Sequence, residues 1–313
     1  MEFHAFVLEE ELKQKIIVQL QGGLGNQLFQ YFSGVYLSEK LGMEFVIDET
    51  RHAFDISVIK RKLKRVGDGS IKELLDLPES IFLKRSLLSI NSIARKIPIY
   101  RETFVCATEL EISSVFQSNL DVISDYKFQG KHLRLNITLQ SLDMLNLAQI
   151  KNHYDNRISK GTKFSTEFEN LMREAQENAV CAVHVRLGDY ITSGKHDLLT
   201  RLYYERALTA LSEIDGIQNI WLFSDDVQNA RNYLPESVTS RISREYGPGD
   251  LSTNETITLM AKCKSHIISN STFSLWSALF SGSNNVVAPK PWFKRSTSDV
   301  EMKFPDEWIT VQQ

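Results

Sequence analysis

His184, Arg186 and Asp189 follow one another at the end of the apolar run Ala179–Val183, with Gly188 between the last two. An arginine there suits a phosphate, because its planar fork donates paired hydrogen bonds and never loses its charge. Histidine and carboxylate are the side chains most used to move protons. Gly188 breaks the strand and would release Asp189 outward, where it could act as a general base or hold Arg186. An arginine that only caps a strand through an internal carboxylate is the plainer reading of Arg186. His196 and Asp197, in the loop that follows, are further candidates for the base.

Three more polar clusters follow apolar runs. Gly22-Gly23-Leu24-Gly25-Asn26-Gln27 joins a strand to a helix. Glycines there let the backbone approach a ligand closely, and a helix N-terminus offers free N–H groups. Asn26 and Gln27 add donors and acceptors suited to a sugar or phosphate. The loop is not a Walker loop, and it matches the dinucleotide fingerprint only in part, with Leu28 where the third glycine belongs. Asp48 falls where that fingerprint places a ribose-binding acid, which keeps an NAD(P)-dependent oxidoreductase open as an alternative. A tight turn would explain the glycines without any ligand. Ser269-Asn270-Ser271-Thr272-Phe273-Ser274 reads either as a helix cap or as a hydroxyl-lined anion cradle. Ser224-Asp225-Asp226 could cap a helix, hold a metal, or accept hydrogen bonds from a base or ribose.

The elements that must position these clusters alternate. Ile16–Leu20 is a strand, Leu28–Leu41 a helix capped by Gly42, and Glu44–Asp48 a second strand. Basic helical segments at Ile71–Leu77 and Ile81–Ile93, a strand at Leu120–Asp125 leading into 126–130, and a polar helical stretch over 139–170 follow. Strands at 179–185, 219–223, 266–269 and 285–288, the last taken as final, alternate with helices at 201–213, after 226, at 255–263 and at 271–280. The pattern predicts an α/β protein of two Rossmann-like domains facing across a cleft, residues 1–155 and 156–313.

At 313 residues, with 42% hydrophobic and 24% charged, the chain has material for two ordinary cores. A net charge of −3 and a pI near 6.2 give no general attraction to nucleic acid. Cys106, Cys181 and Cys263 are odd in number and widely spaced, which points to reduced thiols and a cytoplasmic protein. No apolar window reaches a membrane span and the first residues do not read as a secretory signal. The basic run Lys60–Arg65 reads first as a solvated helix face, with peripheral contact to an inner-membrane surface as the alternative. HExxH, cysteine-cluster and GxSxG patterns are all missing, so neither a metal centre nor a serine hydrolase is predicted.

Taken in order, GGLGNQLFQYFSGVYLSEKLG at 22–42, HVRLGDY at 184–190, FSDD at 223–226, LMAKCKSHIISNSTFSLWSALF at 259–280 and VVAPKPWF at 286–293 resemble the α1,2-fucosyltransferases of glycosyltransferase family 11. The resemblance implies a GT-B-like fold and transfer of L-fucose from GDP-fucose, a substrate rather than a cofactor, to the 2-hydroxyl of a terminal galactoside with inversion. The acceptor would be a surface oligosaccharide or its lipid-linked precursor, and neither a metal nor another cofactor is implied. It assigns Arg186 to the diphosphate with Ser271 and Thr272, His184 to the same pocket, and Phe273 to the donor site. Asp225 or Asp226 would lie near the nucleoside, and Gly23, Gly25, Asn26 and Gln27 over donor and fucose. The chain departs from the family pattern at Leu187, where a second arginine is common, and at Thr256, where an acid is common. An inverting transferase of another nucleotide sugar is the nearest alternative, and a noncatalytic glycan- or nucleotide-binding protein the third.

Overall fold

The structure is a computed structural model that describes residues 14–48, 70–82, 104–106, 131–135, 140–143, 145–160, 164–193, 197–215, 217–294 and 301–313. These fall into two compact units, one made from the described residues of 14–48 and 77–145, the other from 70–76 and 146–313.

In the first unit, β1 (Lys15–Gln19) leads through a glycine turn into α1 (Leu24–Leu41) and then β2 (Glu44–Asp48). With β3 (Phe104–Cys106) and β4 (His132–Leu135) these form a wholly parallel sheet in the order β2-β1-β4-β3. Ile16, Ile17 and Val18 are completely buried, as a central parallel strand covered on both faces requires. Gly22 has φ 77 and Gly42, closing α1, has φ 64, left-handed conformations that favour glycine. The helix begins four residues earlier than expected, at Leu24, so Gly25, Asn26 and Gln27 lie in its first turn and not in a loop. Midway along α1, a Cβ on Gly34 would come within 2.5 Å of Val18 and Phe45. The close helix–sheet approach that a fingerprint glycine provides at position 28 is supplied here by Gly34, while Leu28 fills core.

The second unit carries α2 (Ile71–Leu74), α3 (Leu147–Lys160), α4 (Thr166–Glu177), β5 (Cys181–Val185), α5 (Gly188–Ser193), α6 (Arg201–Asp215), β6 (Ile220–Ser224), α7 (Val227–Ala230), α8 (Glu236–Thr239), β7 (Ile242–Tyr246), α9 (Thr253–Lys262), β8 (Ser265–Ile267), α10 (Thr272–Ser281), β9 (Val286–Lys290) and β10 (Ile309–Gln312). Its six strands are parallel, in the order β10-β9-β8-β5-β6-β7. Alternate residues of β5 face opposite layers. Cys181, Val183 and Val185 pack with Tyr203, Ala207 and Leu211 of α6, and Ala182 packs with Phe168, Leu259 and Met260 of α4 and α9.

The four expected strands of this unit are present within a residue or two, but 285–288 is not the last. β10 continues the sheet beyond β9, and β7 forms its other edge. The edge strand β10, ITVQ, alternates apolar with polar residues, and the edge strand β7, ISREY, carries three polar residues between apolar ends. Expectations at Lys60–Arg65, in most of Ile81–Ile93, at Leu120–Asp125, over 126–130 and at His196 lie outside the described residues. The stretch over 139–170 holds the whole of α3 and the start of α4. Among the described residues no helix is long and apolar enough to cross a membrane.

Candidate active site

From β5 the chain runs outward through β6 to β7, then returns to lay β8 on the other side of β5. That reversal opens a crevice beyond the carboxyl ends of β5 and β8, the place where open α/β sheets hold ligands. The segments 184–190 and 269–273 both emerge there, and two hydrogen bonds tie them together. His184 Nδ1 lies 2.6 Å from Ser269 Oγ, and the Tyr190 hydroxyl donates to the Asn270 carbonyl at 2.8 Å.

Arg186 stands at the mouth of the crevice, its side chain 29% exposed. Its Nη2 donates to Asp189 Oδ1 at 2.5 Å, and its Nη1 lies 3.0 Å from Asp225 Oδ2 as an ion pair without hydrogen-bond alignment. The guanidinium also sits over the Tyr190 ring, 5.7 Å from its centre. Burial works against the charge, but Asp225 and Asp189 outweigh it and hold the Arg186 pKa above its ordinary value. Arg186 is therefore a fixed cation. Burial, and then the field of Arg186, push the His184 pKa down to about 3, so His184 is neutral near pH 7 and a poor proton acceptor. Its backbone carbonyl accepts from the Tyr204 hydroxyl at 3.1 Å, and its ring packs 6.1 Å from that of Phe273. His184 holds the two loops together, and Phe273 walls it.

Asp225 and Asp226 have separate tasks. Asp225 Oδ1 accepts the Leu187 N–H at 2.9 Å, so this carboxylate turns toward the β5 loop. Asp226 caps α7, taking the Asn229 N–H and side-chain amide at 3.3 and 2.8 Å. Gly188 allows the first arrangement. A Cβ there would overlap Asp225 Oδ2, so the glycine makes room for Asp225, which spacing alone did not reveal. Gly188→Ala should push Asp225 away from both Arg186 and the Leu187 amide. We expect the activity of the site to fall roughly ten- to a hundredfold with thermal unfolding almost unchanged, since small displacements near a reacting centre are costly. Undiminished initial rates would show that Asp225 tolerates the move.

Ser271 occupies the N-cap position of α10, yet its hydroxyl makes no capping bond. Thr272 is the first residue of that helix, whose positive dipole end faces the crevice. Asp197 is placed by its carbonyl, which accepts from Asn270 Nδ2 at 3.0 Å, and by its carboxylate, 3.5 Å from Lys294. Glu255 forms a capping box with Ser252, and the Thr256 hydroxyl donates to the Ser252 carbonyl, so both serve the start of α9.

The glycine loop belongs to the first unit. Gly23 is the N-cap of α1 without a side-chain cap, and Gln27 Nε2 donates to the Gly22 carbonyl at 3.1 Å. Asn26 Oδ1 accepts from Gln140 Nε2 at 3.3 Å, a partner 114 residues distant that no local signal announces. Asp48 is enclosed with Arg134 at 2.7 Å, the side chains 0% and 1% exposed. The oxidoreductase alternative thus loses its ribose-binding acid. Among the described residues no three His, Cys, Asp or Glu side chains cluster as metal ligands.

Residues 148–312 match the model of glycosyl transferase family 11. Among curated proteins, the O-antigen biosynthesis glycosyltransferase WbnK of Escherichia coli is 28% identical over 93% of this chain and 99% of its own length. An alpha-1,2-colitosyltransferase of Escherichia coli is 23% identical, over 95% and 99%. Of solved structures, the NodZ alpha-1,6-fucosyltransferase soaked with GDP-fucose aligns over 86% of this chain and 92% of that one, at a TM-score of 0.45 and 12% identity. With more than half its length matched by the family model, the chain belongs to glycosyl transferase family 11 and is a glycosyltransferase.

Proposed function

We propose that the protein transfers L-fucose from GDP-fucose to the 2-hydroxyl of a terminal galactoside, with inversion and without a metal. Arg186 is the residue on which the reading rests: a permanent cation in the segment that Tyr190 ties to Asn270, just ahead of α10, whose N-cap Ser271 makes no side-chain capping bond. As the glycosidic bond breaks, negative charge grows on the departing diphosphate. Fixed donors aimed at that charge stabilise the transition state more than the ground state. In this reading Arg186, Ser271, Thr272 and the α10 amides share the phosphates. His184 and Asp225 act by keeping the two loops and Arg186 in place, Asp226 lies toward the nucleoside, and Gly23, Gly25 and Asn26 approach donor and sugar. A GT-B-like pairing of two Rossmann-like domains belongs to the same proposal, as does an acceptor in a surface glycan or its lipid-linked precursor.

A second reading keeps the site and changes the donor sugar. The relative named for colitose transfer favours it, as does Leu187, which leaves the pocket one arginine short of the family pattern. The test is incubation with GDP-fucose and other nucleotide sugars against a panel of terminal galactosides, with and without EDTA, followed by NMR of the product. The expected result is GDP release and an α1,2 linkage in both arms. Transfer only from another donor would replace fucose, and a need for added magnesium would overturn the metal-free reading.

A further inference from the structure

Arg186 bears one positive charge between two carboxylates, so the cluster of Arg186, Asp189 and Asp225 has a net negative charge. A diphosphate approaching Arg186 meets repulsion unless one carboxylate leaves. The two are held very differently. Asp225 is 9% exposed, accepts the Leu187 N–H at 2.9 Å and fits against Gly188. Asp189 is 63% exposed, one turn along from Arg186, and its contact with Nη2 is an ion pair open to water. Exposed pairs of this kind contribute little to stability and are readily exchanged.

We propose that Asp189 is an exchangeable counter-ion of Arg186. When the nucleotide donor binds, its diphosphate takes the place of the Asp189 carboxylate on Nη2, while Asp225 keeps the guanidinium aimed from Nη1. The swap limits the repulsion, because an anion is traded for an anion on Nη2 instead of being added to a pair. Asp189 then sets nucleotide affinity from the position the phosphate will occupy. The proposal rests on Arg186 as the phosphate clamp.

Calorimetric titration with GDP tests it on the full-length protein. Asp189→Asn and Asp189→Ala should each bind GDP about two- to fivefold more tightly than the unaltered protein, the range an exposed ion pair can withhold. The gain should shrink at high salt and vanish when Arg186→Ala is added to either variant. Equal or weaker GDP binding by both Asp189 variants would overturn the exchange, since a carboxylate that merely braces Arg186 would weaken binding when removed. A gain that survives in the double variants would also overturn it, because the effect would not pass through Arg186. Failure of the unaltered protein to bind GDP, or binding indifferent to Arg186→Ala alone, would instead remove the clamp reading itself.

Discussion

Arg186→Lys is expected to lower turnover by about 10²–10³-fold, the cost typical of deleting one preorganised donor from a site where negative charge develops. Lysine keeps the charge, so loss of attraction is not the reason. What it lacks is the fork. In the structure one guanidinium reaches Asp189 through Nη2 and Asp225 through Nη1 while lying over the Tyr190 ring. A single ammonium on a flexible stem cannot meet both carboxylates and present planar donors to a diphosphate. Because the missing contact strengthens as the leaving group departs, kcat and kcat/KM should fall together, with KM little changed. Far-UV circular dichroism and thermal unfolding should match the unaltered protein, since Arg186 lies outside β5 and is part-exposed. A lysine variant with near-normal turnover would take Arg186 out of the chemistry.

Which features were legible follows from how far their causes extend along the chain. β1, β5 and β6 are central strands buried on both faces, so each is a continuous apolar run that needs no partner to be recognised. β7 and β10 are edges, and their polar content resembles loop. The polar tips of the strands were equally visible, because charge ending an apolar run is a local signal. Their internal assignments were not. Asp225 holds the Leu187 amide across 38 residues, and Tyr190 reaches Asn270 across 80. Gly188 illustrates the difference. Its position suggested freedom for Asp189, whereas the neighbour that needs the missing Cβ comes from another strand. The two family departures divide similarly: Thr256 is absorbed by the start of α9, while Leu187 is buried against the α6 layer and its side chain has left the pocket.

The largest stability effect should come from the first unit. Asp48→Ala is expected to destabilise it by about 3–5 kcal/mol, because it strands the charge of Arg134 in a sheet interior that excludes water. The pair spans β1, with Arg134 on β4 opposite Ile17 and Asp48 on β2 opposite Gln19, and the guanidinium crosses the sheet face to reach the carboxylate at 2.7 Å. The deficit belongs to the uncompensated charge rather than to the bond, so the double variant Asp48→Leu with Arg134→Met should recover most of it. The probe has to be chosen with care. All four tryptophans, Trp221, Trp276, Trp292 and Trp308, lie in the second unit, so their fluorescence would miss the event. Hydrogen exchange at 15–19 and 132–135 reads it directly: protection should collapse in Asp48→Ala and largely return in the double variant. Unaltered exchange in the single variant would mean that water or another partner reaches Arg134. Asp48 would then have to be reconsidered as an accessible acid at the end of β2, the role that a nucleotide-binding alternative requires of it.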